Sequence, residues 1–235
     1  MEGQDKAKEA AGRAAVDALV KSGMKLGLGT GSTTIHAVRR VGELLAFGKL
    51  TDIAVFATSM QTEMECERLG IPVFGLNSQR LAGSLDLTID GADEIDPSGN
   101  LIKGGGAALL IEKIAAYASE VYAVVVDEGK PVARLGTGFP VPVEVVPEAR
   151  LAVSLAIEAM GGKAVLREAV RKVGPVITEH GNLILDVRFE EPVEPVIMEI
   201  ELNRIPGVVE NGLFSLMDKP FVFVGHADGT VAQSR

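Results

Sequence analysis

Small apolar side chains recur through the opening segment at helical spacing. Ala7, Ala11, Ala14, Ala18 and Leu19 fall on one face and predict an amphipathic helix. Residues 24–28 form instead a short apolar run closed by Gly29, which reads as a strand, and helical spacing returns over residues 33–47. The alternation continues with a strand at 53–58, a helix at 61–69 closed by Gly70, a short strand at 71–76 and another strand at 85–89. A polar turn at 96–100 precedes a helix over 107–119 and a continuously apolar strand at 121–126. Strands apolar throughout and separated by helices predict an open, mostly parallel, Rossmann-like α/β sheet with right-handed crossovers and helices on both faces. Ligands of such sheets gather at the carboxyl ends of the strands. Two unusual segments begin there, at Gly29 after the first strand and at Asp90 after the fourth.

The pattern changes near Gly136. The stretch Phe139-Pro-Val-Pro-Val-Glu-Val-Val-Pro147 carries three prolines and reads as an extended edge or connector. A helix at 148–160 and a strand at 163–170 follow, then two strands joined by the turn Glu179-His-Gly-Asn182, a helix at 193–204 and a strand at 208–214. This βαββαβ order predicts a small α+β domain of the ferredoxin-like kind. The apolar segment 221–224 would return to the large sheet. The expected domains are therefore 1–135 with 215–235, and 136–214.

Composition narrows the function. Hydrophobic residues make up 47% and charged residues 23% of the 235, as in an ordinary globular protein. A net charge of −9 leaves no basic stripe for nucleic acid, so that partner is disfavoured. It would also repel an anionic substrate unless a few lysines make the site locally positive. The single cysteine, Cys66, excludes an intrachain disulfide and a cysteine-based zinc site, as expected in a reducing compartment. Its setting, Thr62-Glu-Met-Glu-Cys-Glu-Arg68, is that of a buried small residue on a helix rather than a reactive thiol. Glu2, Asp5 and Asp17 interrupt the start of the chain, and the apolar run 121–126 is too short for a bilayer. No targeting or membrane segment is expected, and the cytoplasm is the expected location.

The densest chemistry lies between residues 90 and 113, Asp90-Gly-Ala-Asp93-Glu-Ile-Asp-Pro-Ser-Gly-Asn-Leu-Ile-Lys103-Gly-Gly-Gly106-Ala-Ala-Leu-Leu-Ile-Glu112-Lys113. Asp90 and Asp93 could hold hydroxyls, and Lys103 opens a triple glycine that a simple connector does not need. Glu112 has Ala108, Leu109, Ala115 and Ala116 as helical neighbours. On so apolar a face a carboxylate is a stronger base than in water. The competing reading is a solvated Glu112–Lys113 pair at a helix edge, which the nearby Asp90 and Lys103 disfavour. The turn Gly27-Leu-Gly29-Thr30-Gly31-Ser32-Thr33 could bind a phosphate through backbone amides and hydroxyls, or could be a tight turn capped by Ser32 or Thr33. It is not a dinucleotide fingerprint, since its third glycine is Ser32 and the second strand ends in Ala57-Thr58-Ser59 without an acid. The Asp90 segment does not match a calcium loop, and His36, His180 and His226 are scattered, so a metal-free mechanism is favoured.

These motifs, with Phe139-Pro-Val-Pro-Val-Glu144, the stretch 182–186 and Pro206-Gly-Val-Val-Glu210, stand in the order and spacing of ribose-5-phosphate isomerase, type A. The chain resembles that family over nearly its whole length. The resemblance implies interconversion of ribose 5-phosphate and ribulose 5-phosphate without metal or organic cofactor. It implies Glu112 as general base through a cis-enediolate, and Lys103 as the charge that stabilises it. Asp90 and Asp93 would hold hydroxyls, with Asp90 also helping to open the furanose ring. Thr30, Gly31, Ser32, Thr33, Gly91, Ala92, Gly104, Gly105, Gly106 and Lys130 would complete the substrate site. The family commonly has serine where this chain has Gly129, which puts one minor hydrogen bond in question. Two other readings compete, a sugar-phosphate-sensing effector domain without catalysis and an acyl-CoA transferase relative. A homodimer or tetramer is also expected, because the second domain is apolar.

Overall fold

The computed structural model describes residues 2–190 and 193–235. Contacts divide it into two units. The first is Met1–Gly91, Ile111–Lys130 and Lys219–Arg235; the second is Ala92–Leu110 and Pro131–Asp218. Residues 136–214 fall wholly within the second, together with Ala92–Leu110.

The first unit is built on a six-stranded sheet (elements are numbered along the whole chain). Five strands run parallel: β1 (Lys25–Leu28), β2 (Ala54–Ala57), β3 (Leu85–Asp90), β6 (Ser119–Asp127) and β12 (Phe221–Gly225). Their order is β2-β1-β3-β6-β12, so the chain reverses its winding between β1 and β3. Leu26, Leu28, Leu87, Ile89 and Val125 pack with Ala11, Ala15 and Val16 of α1 (Glu2–Leu19) and Ala37, Val38 and Val41 of α2 (Thr34–Ala46). Thr88 points the other way. Its Oγ1 lies 2.7 Å from Ser119 Oγ and 3.4 Å from the carbonyl of Ala115 on α4 (Leu109–Tyr117). Helices thus cover both faces, which is why the inner part of β6, residues 123–126, is apolar and buried. Ser59 caps α3 (Met60–Arg68) by accepting from the Thr62 amide.

Two elements of this unit depart from expectation. Residues 71–76 make no strand, only a bridge between Val73 and Val55. Pro72 has no N–H to donate, so a ladder cannot extend through it; its carbonyl still accepts from Val55 N at 3.1 Å. Asp90 therefore ends the third strand, not the fourth. The antiparallel edge strand β13 (Val231–Ser234) was not foreseen, because its exposed Val-Ala-Gln-Ser carries no apolar alternation.

The second unit has the expected βαββαβ order: β7 (Val141–Val145), α5 (Arg150–Ala159), β8 (Gly162–Leu166), β9 (Leu183–Phe189), α6 (Pro195–Asn203) and β10 (Val208–Asn211). The sheet order is β10-β7-β9-β8, all antiparallel. Its core joins Val141, Val143, Val145, Leu185 and Val187 to Val153, Ile157 and Leu202. A second, three-stranded sheet combines β4 (Glu94–Ile95), β5 (Leu101–Ile102) and β11 (Leu213–Phe214).

The proline-rich stretch is not an edge. β7 is fully buried between β10 and β9. Pro142 fits because its missing N–H falls where the β10 ladder ends, at the pair Asn211–Val143. Its carbonyl accepts from Gly212 N at 2.7 Å, and the Gly212 carbonyl accepts instead from Lys103 N at 2.9 Å. The expected strand at 208–214 is split at Gly212 between the two sheets. β8 stops at Leu166, and the strand expected before the Glu179 turn shrinks to bridges Glu168–Pro175 and Ile177–Leu183, since Gly174 and Pro175 interrupt any ladder.

Candidate active site

In the first unit Asp90 and the turn that opens at Thr30 meet where the winding reverses, the usual ligand crevice of such sheets. Asp90 ends β3 fully buried. Its Oδ1 accepts from the amides of Thr30 at 3.2 Å and Gly91 at 2.7 Å. Position 29 must be glycine, because a Cβ there would sit 1.8 Å from Asp90 Oδ1. The carboxylate thus occupies the space a side chain would take. Thr30 Oγ1 lies 2.6 Å from Ser59 Oγ and 2.9 Å from Thr58 Oγ1, while Thr62 Oγ1 donates to the Gly29 carbonyl at 2.6 Å. These hydroxyls tie the β1–α2 turn to the β2–α3 turn. Thr33 is the N-cap of α2 yet makes no side-chain cap, and Ser32 is exposed. The capped-turn alternative is therefore set aside; the Thr30 and Gly31 amides donate to Asp90 and Gln61, and the Ser32 hydroxyl stands exposed at the helix start. Thr34 Oγ1 is buried with no partner among the described residues.

Lys130 follows the carboxyl end of β6, at the same edge of this sheet. Its amide donates to the Asp127 carbonyl at 3.1 Å, and Asp127 Oδ1 accepts from Gly129 N at 3.0 Å. Glycine at 129 therefore leaves the turn intact. Glu112 and Lys113 are 4% and 5% exposed, which excludes a solvated pair at a helix edge. Ala115 and Ala116 on the next turn are buried as well. Cys66 is buried, and burial pushes its thiol up to about 12, so it is inert at neutral pH.

In the second unit the three carboxylates of the Asp90 segment, Asp93, Glu94 and Asp96, are divided by task. Asp96 builds the β4–β5 turn, accepting from Ser98 N and Asn100 N at 2.9 Å each. Glu94, buried, accepts from the amides of Gly136, Gly138 and Phe139 at 2.5–2.7 Å and pins that loop. Asp93 is left half-exposed, with Oδ2 accepting from Gly105 N at 2.8 Å. Lys103 is 2% exposed, with Nζ 5.6 Å from the centre of the Phe214 ring. Its main chain is held by Gly212, where a Cβ would lie 2.2 Å from the Lys103 carbonyl. Two of the three loop glycines also answer to the protein itself. Gly104 has φ +105°, and a Cβ at Gly105 would lie 2.7 Å from Asp93 Oδ1. Gly106 is exposed.

Sequence reasoning missed the groups that hold these residues in place: Thr58, Ser59 and Thr62 in the first unit, and Glu94, Arg167 and Asp186 in the second. Ser59 carried the signal of an N-cap, and Asp186 stood in a family stretch, but their partners are distant in sequence. Among the described residues, no group of three or more His, Cys, Asp or Glu is placed to hold a metal ion.

Asp90, Lys103 and Glu112 are all more than nine-tenths buried, at the positions that the family resemblance marks. A family model described as ribose 5-phosphate isomerase A (phosphoriboisomerase A) matches residues 54–229. The chain belongs to this family. Ribose-5-phosphate isomerase A of Treponema denticola is 55% identical over 211 residues, 89% of this chain and 88% of that one. The structure of ribose 5-phosphate isomerase A from Methanocaldococcus jannaschii is 42% identical, with a TM-score of 0.89 over 97% of both chains. A D-ribose-5-phosphate isomerase solved in complex with phospho-erythronic acid is also 42% identical, with a TM-score of 0.90 over 97% of both chains. Isomerase A relatives thus share both units of the fold, and the sensor and acyl-CoA transferase readings give way to isomerase A membership.

Proposed function

We propose that the chain interconverts D-ribose 5-phosphate and D-ribulose 5-phosphate through a cis-enediolate, in the non-oxidative pentose phosphate pathway. In this reading Glu112 removes the C2 proton of the open-chain aldose. The electron pair forms the C1–C2 double bond, and negative charge moves to the aldehyde oxygen, where Lys103 stabilises it. Glu112 then returns the proton to C1 while the O2 hydroxyl proton passes to O1, which gives the ketose. C2 is oxidised as C1 is reduced, so the step balances without an external electron acceptor. Asp90 assists ring opening and, with Asp93, holds sugar hydroxyls beside Gly91 and Ala92. Gly104, Gly105 and Gly106 contact the substrate, and Thr30, Gly31, Ser32, Thr33 and Lys130 take the phosphate.

The observation that carries this reading is the burial of a carboxylate and an ammonium, Glu112 and Lys103, on either side of a triple glycine. Such groups are almost never fully buried without a task or a partner, and exclusion of water strengthens their action on developing charge. The relative's complex with phospho-erythronic acid supports a phosphorylated ligand. The same reading takes the protein to be a cytoplasmic homodimer or tetramer. Exposed Leu151 and Leu155 on α5 and Ile197 and Ile200 on α6 support self-association. No helix among the described residues is long and apolar enough to cross a membrane.

A coupled assay for ribulose 5-phosphate formed from ribose 5-phosphate in EDTA tests the function. Turnover should persist, because Lys103 supplies the positive charge. Binding without turnover would restore the sensor reading. Loss in EDTA with recovery in magnesium would return Asp90 and Asp93 to the role of metal ligands.

A further inference from the structure

Arg167 lies just beyond β8, 62 and 63 residues from the two glycines it touches, and takes no part in the chemistry proposed above. Its guanidinium makes a two-pronged ion pair with Asp186 of β9, Nε to Oδ2 at 2.9 Å and Nη2 to Oδ1 at 2.5 Å. The side chains of the pair are only 13% and 25% exposed. The remaining nitrogen, Nη1, donates to the carbonyls of Gly104 at 2.8 Å and Gly105 at 3.1 Å. A planar fork fixed on one carboxylate thus grips two consecutive peptides of the triple-glycine loop.

A trans peptide points its N–H opposite its carbonyl. Holding the Gly104 carbonyl therefore aims the Gly105 amide, which meets Asp93 Oδ2 at 2.8 Å. Holding the Gly105 carbonyl aims the Gly106 amide away from Arg167, and that amide has no acceptor among the described residues. Gly104 is conformationally free enough to place these peptides in other ways, and Ala107 closes the loop at the unfavourable φ of +60°. The loop needs an external hold. We propose that Arg167, fixed by Asp186, is a positioning residue for the reaction. It sets the Gly104–Gly105 and Gly105–Gly106 peptides so that Asp93 is oriented and the Gly106 amide is presented to the substrate's oxygen atoms. This rests on the reading of residues 104–106 as a substrate loop.

Lysine cannot replace this fork, since one ammonium has no rigid geometry to span a carboxylate and two carbonyls. Arg167→Lys should lower kcat at least tenfold with a smaller change in KM, measured well below its unfolding temperature. Native-state hydrogen exchange of the Gly105 amide, without substrate, should accelerate at least tenfold. Should Arg167→Lys fold poorly, Arg167→Met with Asp186→Leu replaces the pair by apolar groups of similar size and keeps the sheet packed. It should show the same kcat loss and the same faster exchange. Wild-type kcat in either folded variant, or unchanged Gly105 exchange, would overturn the proposal. If the wild-type chain itself formed no ribulose 5-phosphate, the functional reading would fall, while the exchange measurement would still decide whether Arg167 holds the loop.

Discussion

Lys103 has its main chain fixed by Gly212 and its side chain buried near Phe214. A buried ammonium so held is suited to meet negative charge that appears only in the transition state. Lys103→Ala should therefore cut kcat by about 10²-fold or more, in the range seen when one oxyanion-stabilising group is removed. Lys103→Arg should rescue poorly, because a planar guanidinium does not fit the space of a compact ammonium; steady-state kinetics on both variants decides. Lys130, half-exposed on its turn, is assigned the phosphate, so Lys130→Ala should raise KM more than it lowers kcat. The candidate residues were legible because their types are conspicuous: a glutamate on an apolar face, a lysine before three glycines, paired aspartates after a strand. Arg167 and Asp186 were not. Nothing in a local window tells that an arginine at 167 grips carbonyls at 104 and 105.

At the scale of elements, helix joins helix through charge on the outer side. Arg39 of α2 reaches Glu65 of α3 at 2.7 Å, and Arg68 reaches the same carboxylate at 2.7 Å. Hydrogen bonds from Arg68 and then Arg39 lower the Glu65 carboxyl from 4.5 to about 2. A depressed carboxylate stabilises the fold above its unfolded value and loses that contribution as pH falls from 4.5 towards 2. Both arginines are well exposed, so solvent screening limits the contribution to about 1 kcal/mol. Glu65→Gln should lower stability by that amount at pH 7, and the difference should close on acidification; thermal unfolding at a series of pH values checks it. Most elements were legible from period alone, because helices cover both faces of the large sheet and leave its strands unmistakably apolar. The errors fall at prolines and edges. Pro72 reduces a strand to one bridge, whereas Pro142 sits in a central strand because its missing donor falls where a ladder ends. Neither outcome follows from the proline itself, since the partner strand decides it. β13 pairs at an exposed edge and needs no apolar pattern.

For the whole molecule, a net charge of −9 opposes the approach of a phosphorylated sugar, so recognition rests on local amides, hydroxyls and lysines. Inorganic phosphate and sulfate should compete with ribose 5-phosphate, while chloride at equal ionic strength should not raise KM. Equal inhibition by all three would point to screening rather than to an anion site. Within that field the proposed reaction depends on one buried carboxylate. Glu112→Gln preserves shape and removes the base, so the decisive measurement is kcat for ribulose 5-phosphate formation by this variant beside the unaltered chain. The account predicts a fall of about 10²–10⁴-fold with substrate binding little changed. A variant that kept more than about half of the activity would contradict it, because no general base whose removal costs so little is carrying the proton.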